Sequence, residues 1–151
     1  MTRTNWIVTA AALLGLVLSA TVARANGSAE ATRARAMLDR AVAAVKTDER
    51  AALESFTKGT NGFAEGDLYP FCARARSGWV VAHPSRLGEN LANVSDVNGK
   101  LFGREILNRA EDGKVKEIHY MWPRPGHKKP ERKDTYFTKV GHLVCGVGYY
   151  Q

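Results

Sequence analysis

The fold turns on the stretch IHYMWPRPGHKKPERKDTYFTKVGHLVCGVGYY, which runs from Ile118 to Tyr150. KVKEIHYMW, KDTYFTKV and HLVCGVGYY are rich in β-branched and aromatic residues, the types that suit a pleated, half-buried surface. Between the first two lies PRPGHKKPER, whose three prolines and glycine predict a loop. Successive side chains on a strand point to opposite faces. Ile118, Tyr120 and Trp122 therefore share one face, and His119 and Met121 the other. Lys133 is expected at the end of the loop, where the next strand begins. From there its flexible ammonium can reach back over the sheet.

Upstream, LYPFCARA and GWVVAHP read as two short strands around an RSG turn, with Pro84 ending the second. SRLGENLANVSDVNGK is mostly loop and carries a turn at Asn98-Gly99. LFGREILNRAED places Leu101, Phe102, Glu105, Ile106 and Arg109 at helical spacing, with Gly113 as the stop. Before all of these, Ser28 to Gly59 predicts one long amphipathic helix capped by Ser28. Met37, Leu38, Ala41, Val42, Val45, Ala52, Leu53 and Phe56 form its apolar stripe. At 1.5 Å per residue it would reach about 45 Å, so it must bend or project. The expected class is α+β: a five-stranded antiparallel sheet with a long N-terminal helix and a loop-helix crossover.

Residues 1–25 have the order of a secretory signal peptide. Arg3 precedes the uncharged run WIVTAAALLGLVLSATVA, and ARA at Ala23–Ala25 is a small-x-small cleavage signature. The alternative is an uncleaved membrane anchor, and either one places the remainder in the periplasm or outside the cell. Cleavage after Ala25 removes Arg3 and Arg24 and no acids, which lowers the formal charge from +7 to +5. That modest surplus, together with export, argues against a nucleic-acid partner. Cys72 and Cys145 are the two cysteines, with no CxxC and no CxxCH haem signature. In an oxidising compartment they suit a disulfide worth roughly 4 kcal/mol. The alternative is two buried thiols on neighbouring strands.

Catalytic and cofactor templates are missing. The sequence has no GxSxG, GxxxxGK[ST], HExxH or GxGxxG after a strand. His83, His119, His127 and His142 are scattered and lack metal-ligand spacing. DVNGK resembles part of a calcium loop but has Leu107 where the terminal acid belongs, so it reads as a turn. Glu111 and Asp112 read as solvated helix-end acids. Neither an enzyme nor a cofactor or metal is expected. Arg124, His127, Lys128, Lys129, Arg132 and Lys133 cluster between aromatic strands, as in some single-strand binders, but a solvated hairpin loop is the simpler reading. Within that cluster Lys133 can meet a carboxylate in a largely apolar pocket walled by Tyr120, Trp122 and Tyr136. As strand aromatics, the three could equally be ordinary core. His83, next to Pro84, is either a hydrogen-bonded strand-end residue or a ligand contact.

GWVVAHPSRLGEN, DVNGKLFGREIL, GKVKEIHYMWPRPG, KPERKDTYF and GHLVCGVGYY, in this order, resemble a single Cache domain of the type 2 class. The resemblance spans about Asp67 to Tyr150, with the preceding long helix. It implies a PAS-like sheet, the Cache fold, in which the first and last strands are neighbours. Cys72 and Cys145 then become a candidate cross-strand disulfide. Such domains are usually extracytoplasmic sensors for small molecules, often short carboxylates. The implied ligand-binding residues are Tyr120, Trp122, Lys133 and Tyr136, with His83 beside them. FCARARSG departs from the acidic turn often found between the first strands of the family. The sequence shows no second membrane span and no kinase or methyl-accepting region. The expectation is thus a periplasmic module for a small organic anion, acting with a separate receptor, histidine kinase or transporter component. The alternative is a structural or interaction protein of the same fold, using the Ser28–Gly59 helix for a homodimer or another partner.

Overall fold

The computed structural model describes the backbone of residues 18–151, and the side chains of residue 27 and residues 29–151. Of the expected signal segment, residues 1–17 lie outside the described residues. No helix among the described residues is long and apolar enough to cross a membrane.

Two helices replace the single one expected from Ser28 to Gly59. The first, α1, runs Leu18–Thr47, so it starts well before Ser28, and α2 follows at Glu49–Lys58. Asp48 makes the break. Its backbone is extended (φ −151°, ψ 95°), and its carboxylate accepts the Ala51 N–H at 3.0 Å. An aspartate that caps a new helix competes with continuation of the old one. Gly59 ends α2 with φ 65°, where a left-handed residue is needed. The bend folds α2 back beside α1, so Phe56 joins Ala34, Met37, Leu38 and Ala41 in one buried cluster.

The five strands are β1 (Pro70–Arg74), β2 (Val80–Ala82), β3 (Lys116–Pro123), β4 (Pro130–Val140) and β5 (Leu143–Tyr150). They form one antiparallel sheet in the order β2-β1-β5-β4-β3. The first strand lies beside the last. Cys72 is the register partner of Cys145, and their Sγ atoms are bonded at 2.06 Å.

The loop between β3 and β4 is shorter than its three prolines suggest. Pro123 and Pro130 are opposed at the end of the ladder, and only residues 124–129 lie outside it. Proline is tolerated there because β3 is an edge strand and β4 outruns β5, whose last pair is Lys133 with Tyr150. Lys133 is accordingly inside β4, not at the end of a loop.

The pairing sorts the side chains into two faces. Cys72, Cys145, Val147 and Tyr149 pack under α1 and α2. Phe71, Ile118, Tyr120, Phe137 and Val144 pack under α3 (Phe102–Arg109) and the short 3-10 turn Leu91–Asn93. Gly103 brings α3 onto that turn, since a Cβ there would stand 1.9 Å from the Leu91 carbonyl oxygen. Asp96 ties the intervening loop to the sheet. It accepts the N–H groups of Asn98 (2.9 Å) and Lys100 (3.0 Å) on one oxygen and that of Met121 (3.0 Å) on the other. The DVNGK segment is thus a turn with a carboxylate anchor.

Candidate ligand-binding site

Between the α3 face of the sheet and the crossover lies a cleft lined by Tyr69, Phe71, Val80, His83, Arg86, Leu91, Val94, Phe102, Tyr120, Trp122, Lys133 and Gly148. It leaves about 40 Å³ for the centres of water-sized groups. One water needs roughly 10–15 Å³ on that measure, so the space suits an occupant of a few heavy atoms.

Lys133 forms the floor and is only 3% exposed. Gly148 on β5 makes room for it, because a Cβ there would stand 2.1 Å from Lys133 Cε. The ammonium donates to the Tyr69 hydroxyl at 3.3 Å and lies 4.7 Å and 4.9 Å from the ring centres of Tyr69 and Tyr150. Among the described residues no carboxylate forms an ion pair with it. The nearby acid Asp67 is held by Arg124 at 2.8 Å, and Arg124 also binds Glu131 and covers the Tyr150 ring. Burial depresses the Lys133 pKa to about 8; Asp67 opposes the shift and Arg124 adds to it.

His83 faces the same space. Its Nδ1 accepts the N–H groups of Ser85 (3.0 Å) and Arg86 (3.2 Å), which leaves the proton of the neutral ring on Nε2. Burial, with Lys133 and Arg86 nearby, lowers its pKa to about 4, so the ring is neutral near pH 7. The Tyr69 ring meets it edge-on at 5.1 Å. Arg86 pairs with Glu89 at 2.6 Å and lies 5.0 Å over the Trp122 ring.

The far wall is aromatic. Phe102 stacks on Tyr120, with centroids 3.7 Å apart, and meets Trp122 edge-on at 5.3 Å. The Tyr120 hydroxyl is paired with Thr135 Oγ1 at 2.9 Å, and burial raises its pKa well beyond the ordinary range. The lining therefore carries Lys133 and Arg86 as cations, donors at His83 and Tyr69, apolar walls, and no acid. Such a surface favours a small anion over a cation.

Four residues singled out in the sequence meet in this cleft: Tyr120, Trp122, Lys133 and His83. Tyr136 does not. It lies on the opposite face, stacked on Tyr149 at 5.4 Å beside a groove along α1. Lys133 and Tyr136 are three apart on one strand, and an odd separation puts them on opposite sides. Tyr69, Arg86, Phe102 and Gly148 were missed. Gly148 had a signal, since a glycine inside a strand often marks close approach by another group. Tyr69 fell within the expected strand LYPFCARA, two residues before Phe71 and so on its face, whereas Arg86 stands in an irregular segment whose direction no periodicity reveals.

An antiparallel sheet with paired helices on one face and a crossover over a donor-lined cleft on the other defines a PAS-like domain with a small-molecule-sized site. The chain belongs to the single Cache domain 2 family, whose model matches residues 29–150. It is similar in structure to a methyl-accepting chemotaxis protein from Vibrio parahaemolyticus RIMD 2210633, with TM-score 0.67 and 21% identity over 87% of this chain and 95% of that one. It is also similar to a periplasmic sensor domain of a chemotaxis protein, with TM-score 0.58 and 26% identity over 90% of this chain and 99% of that one. A third similar structure is a Cache chemosensory domain described for carboxylic acid recognition, with TM-score 0.58 and 16% identity over 87% of this chain and 97% of that one.

Proposed function

We propose that this protein is the ligand-binding module of a periplasmic sensor and that its ligand is a short carboxylate. The observation that carries the reading is Lys133, a buried ammonium with no carboxylate partner among the described residues, set in a cleft without acidic lining. A ligand carboxylate would supply the missing counter-charge and regain part of the cost of burying the ammonium. The Nε2–H of His83 and the Tyr69 hydroxyl are further donors, while Phe102, Tyr120 and Trp122 would hold a short apolar tail. The small space favours acids of the size of acetate or propionate over dicarboxylates. In this reading the module binds and does not catalyse. Export through residues 1–25 delivers it to the periplasm. A receptor, histidine kinase or transporter component reads its occupancy. The third similar structure is described for carboxylic acid recognition, and that description supports the ligand class.

A thermal-shift screen with formate, acetate, propionate, lactate and succinate at pH 7, followed by calorimetry, tests the proposal. Saturable binding of one of the monocarboxylates, lost in Lys133→Met, is the expected result. A cleft that binds none of them would overturn it.

A further inference from the structure

The amine that could attract a carboxylate is also placed to react with a carbonyl. Lysines become nucleophilic when a desolvated pocket favours the neutral amine. Lys133 is 3% exposed, and its ammonium donates to the Tyr69 hydroxyl at 3.3 Å. No ion pair to a described carboxylate holds it as ammonium, because Asp67 is occupied by Arg124. Its pKa of about 8 leaves roughly a tenth of the amine unprotonated at pH 7. The space beside it is walled by Phe102, Tyr120 and Trp122 and takes only a few heavy atoms.

We propose that Lys133 captures small 2-oxo acids reversibly as an imine in the cleft. The inference rests on the reading of this cleft as an anion site. The lone pair of Nζ attacks the carbonyl carbon as its C=O π bond opens, and the resulting carbinolamine loses one water. Amine and carbonyl are converted to imine and water, with no change of oxidation state. The Tyr69 hydroxyl stays protonated, since burial raises its pKa. At 3.3 Å from Nζ it is placed to hand a proton to the departing hydroxyl and to be reprotonated from the nitrogen. Once protonated, the imine is again a cation beside the ligand's carboxylate, so the electrostatics of anion binding are kept. A simple carboxylic acid has no carbonyl of this reactivity and stays non-covalent. The same pocket thereby distinguishes acetate from pyruvate by residence time.

The test incubates the protein with pyruvate and sodium cyanoborohydride near pH 8 and maps the reduced adduct by peptide mass spectrometry. Lys133→Arg and an acetate-competed sample run in parallel. The exposed Lys58 and Lys114, at 63% and 72% side-chain exposure, serve as internal controls. One adduct per chain is expected on the peptide bearing Lys133, formed ahead of those controls, suppressed by acetate and lost in Lys133→Arg. Adducts on exposed lysines with Lys133 unmodified would overturn the inference, and mapping the unmutated protein is enough to establish this if the variant fails to fold. Calorimetry separates the two claims. Pyruvate binding without an adduct overturns imine formation and leaves the anion site standing, whereas no binding of either acid and no adduct overturns both.

Discussion

Lys133 and Gly148 sit on adjacent strands so close that a single added methyl group would stand 2.1 Å from the lysine's Cε. The glycine is thus what lets a full-length lysine lie flat under the cleft. Gly148→Ala should displace the ammonium and cost about 1–3 kcal/mol through overpacking. Affinity for a short carboxylate should fall roughly tenfold or more, the scale of one charge-assisted hydrogen bond. Calorimetry and denaturant unfolding on the variant check both effects; undiminished affinity would show that the lysine's position does not matter.

Replacing the buried ammonium should separate stability from binding. Lys133→Met keeps the volume and removes a desolvated charge, so it should gain stability on the order of 1–3 kcal/mol at pH 7 while losing anion binding. The sign with pH follows from the lysine's folded pKa of about 8, below its ordinary 10.5. The penalty is full below pH 8 and is relieved as pH rises from there toward 10.5, because the unfolded chain then binds more protons. The advantage of Lys133→Met should shrink over that window in paired unfolding curves.

Binding should carry the same signature. With His83 titrating near 4, the neutral imidazole adds no step between about pH 5.5 and 7. Acetate affinity should be flat there and weaken above pH 8, approaching tenfold per unit as Lys133 loses its proton. Calorimetric titrations across pH 5.5–9.5 measure it. A step near pH 6 would point to a histidine instead.

Asp96 should behave as a structural anchor rather than a ligand contact. Asp96→Asn turns one acceptor into a donor facing backbone N–H groups, at a cost of about 1–3 kcal/mol. Burial opposes its ionisation, but hydrogen bonds from Met121, Lys100 and Asn98 outweigh it and hold the carboxyl below its ordinary range. The stabilisation is present above the unfolded pKa and lost as pH falls through the folded one. Unfolding curves for protein and variant should therefore converge in acid.

Much of this architecture was legible because two periodicities dominate it. The period of two identified the strands of the closing stretch, and it placed Ile118, Tyr120 and Trp122 on what became the cleft face. The same rule, carried to Lys133 and Tyr136, would have removed Tyr136 from the site. Tyr136→Phe is accordingly expected to leave carboxylate affinity unchanged. The helical period found the apolar stripe of α1 and α2. It passed over the break at Asp48, where a cap interrupts the backbone without disturbing the pattern. The prolines overstated the β3–β4 loop, because edge position and strand overhang are properties of the assembled sheet. Arg86 reaches the cleft from an irregular segment, where only tertiary structure sets direction, while the period of two could have placed Tyr69 beside Phe71.

The central claim, that the cleft over Lys133 takes a short carboxylate, is tested most directly by calorimetric titration of the protein with acetate and propionate at pH 7. Saturable binding of one acid per chain is expected, lost in Lys133→Met and retained in Tyr136→Phe. No binding of either acid, or equal binding by Lys133→Met, would contradict it.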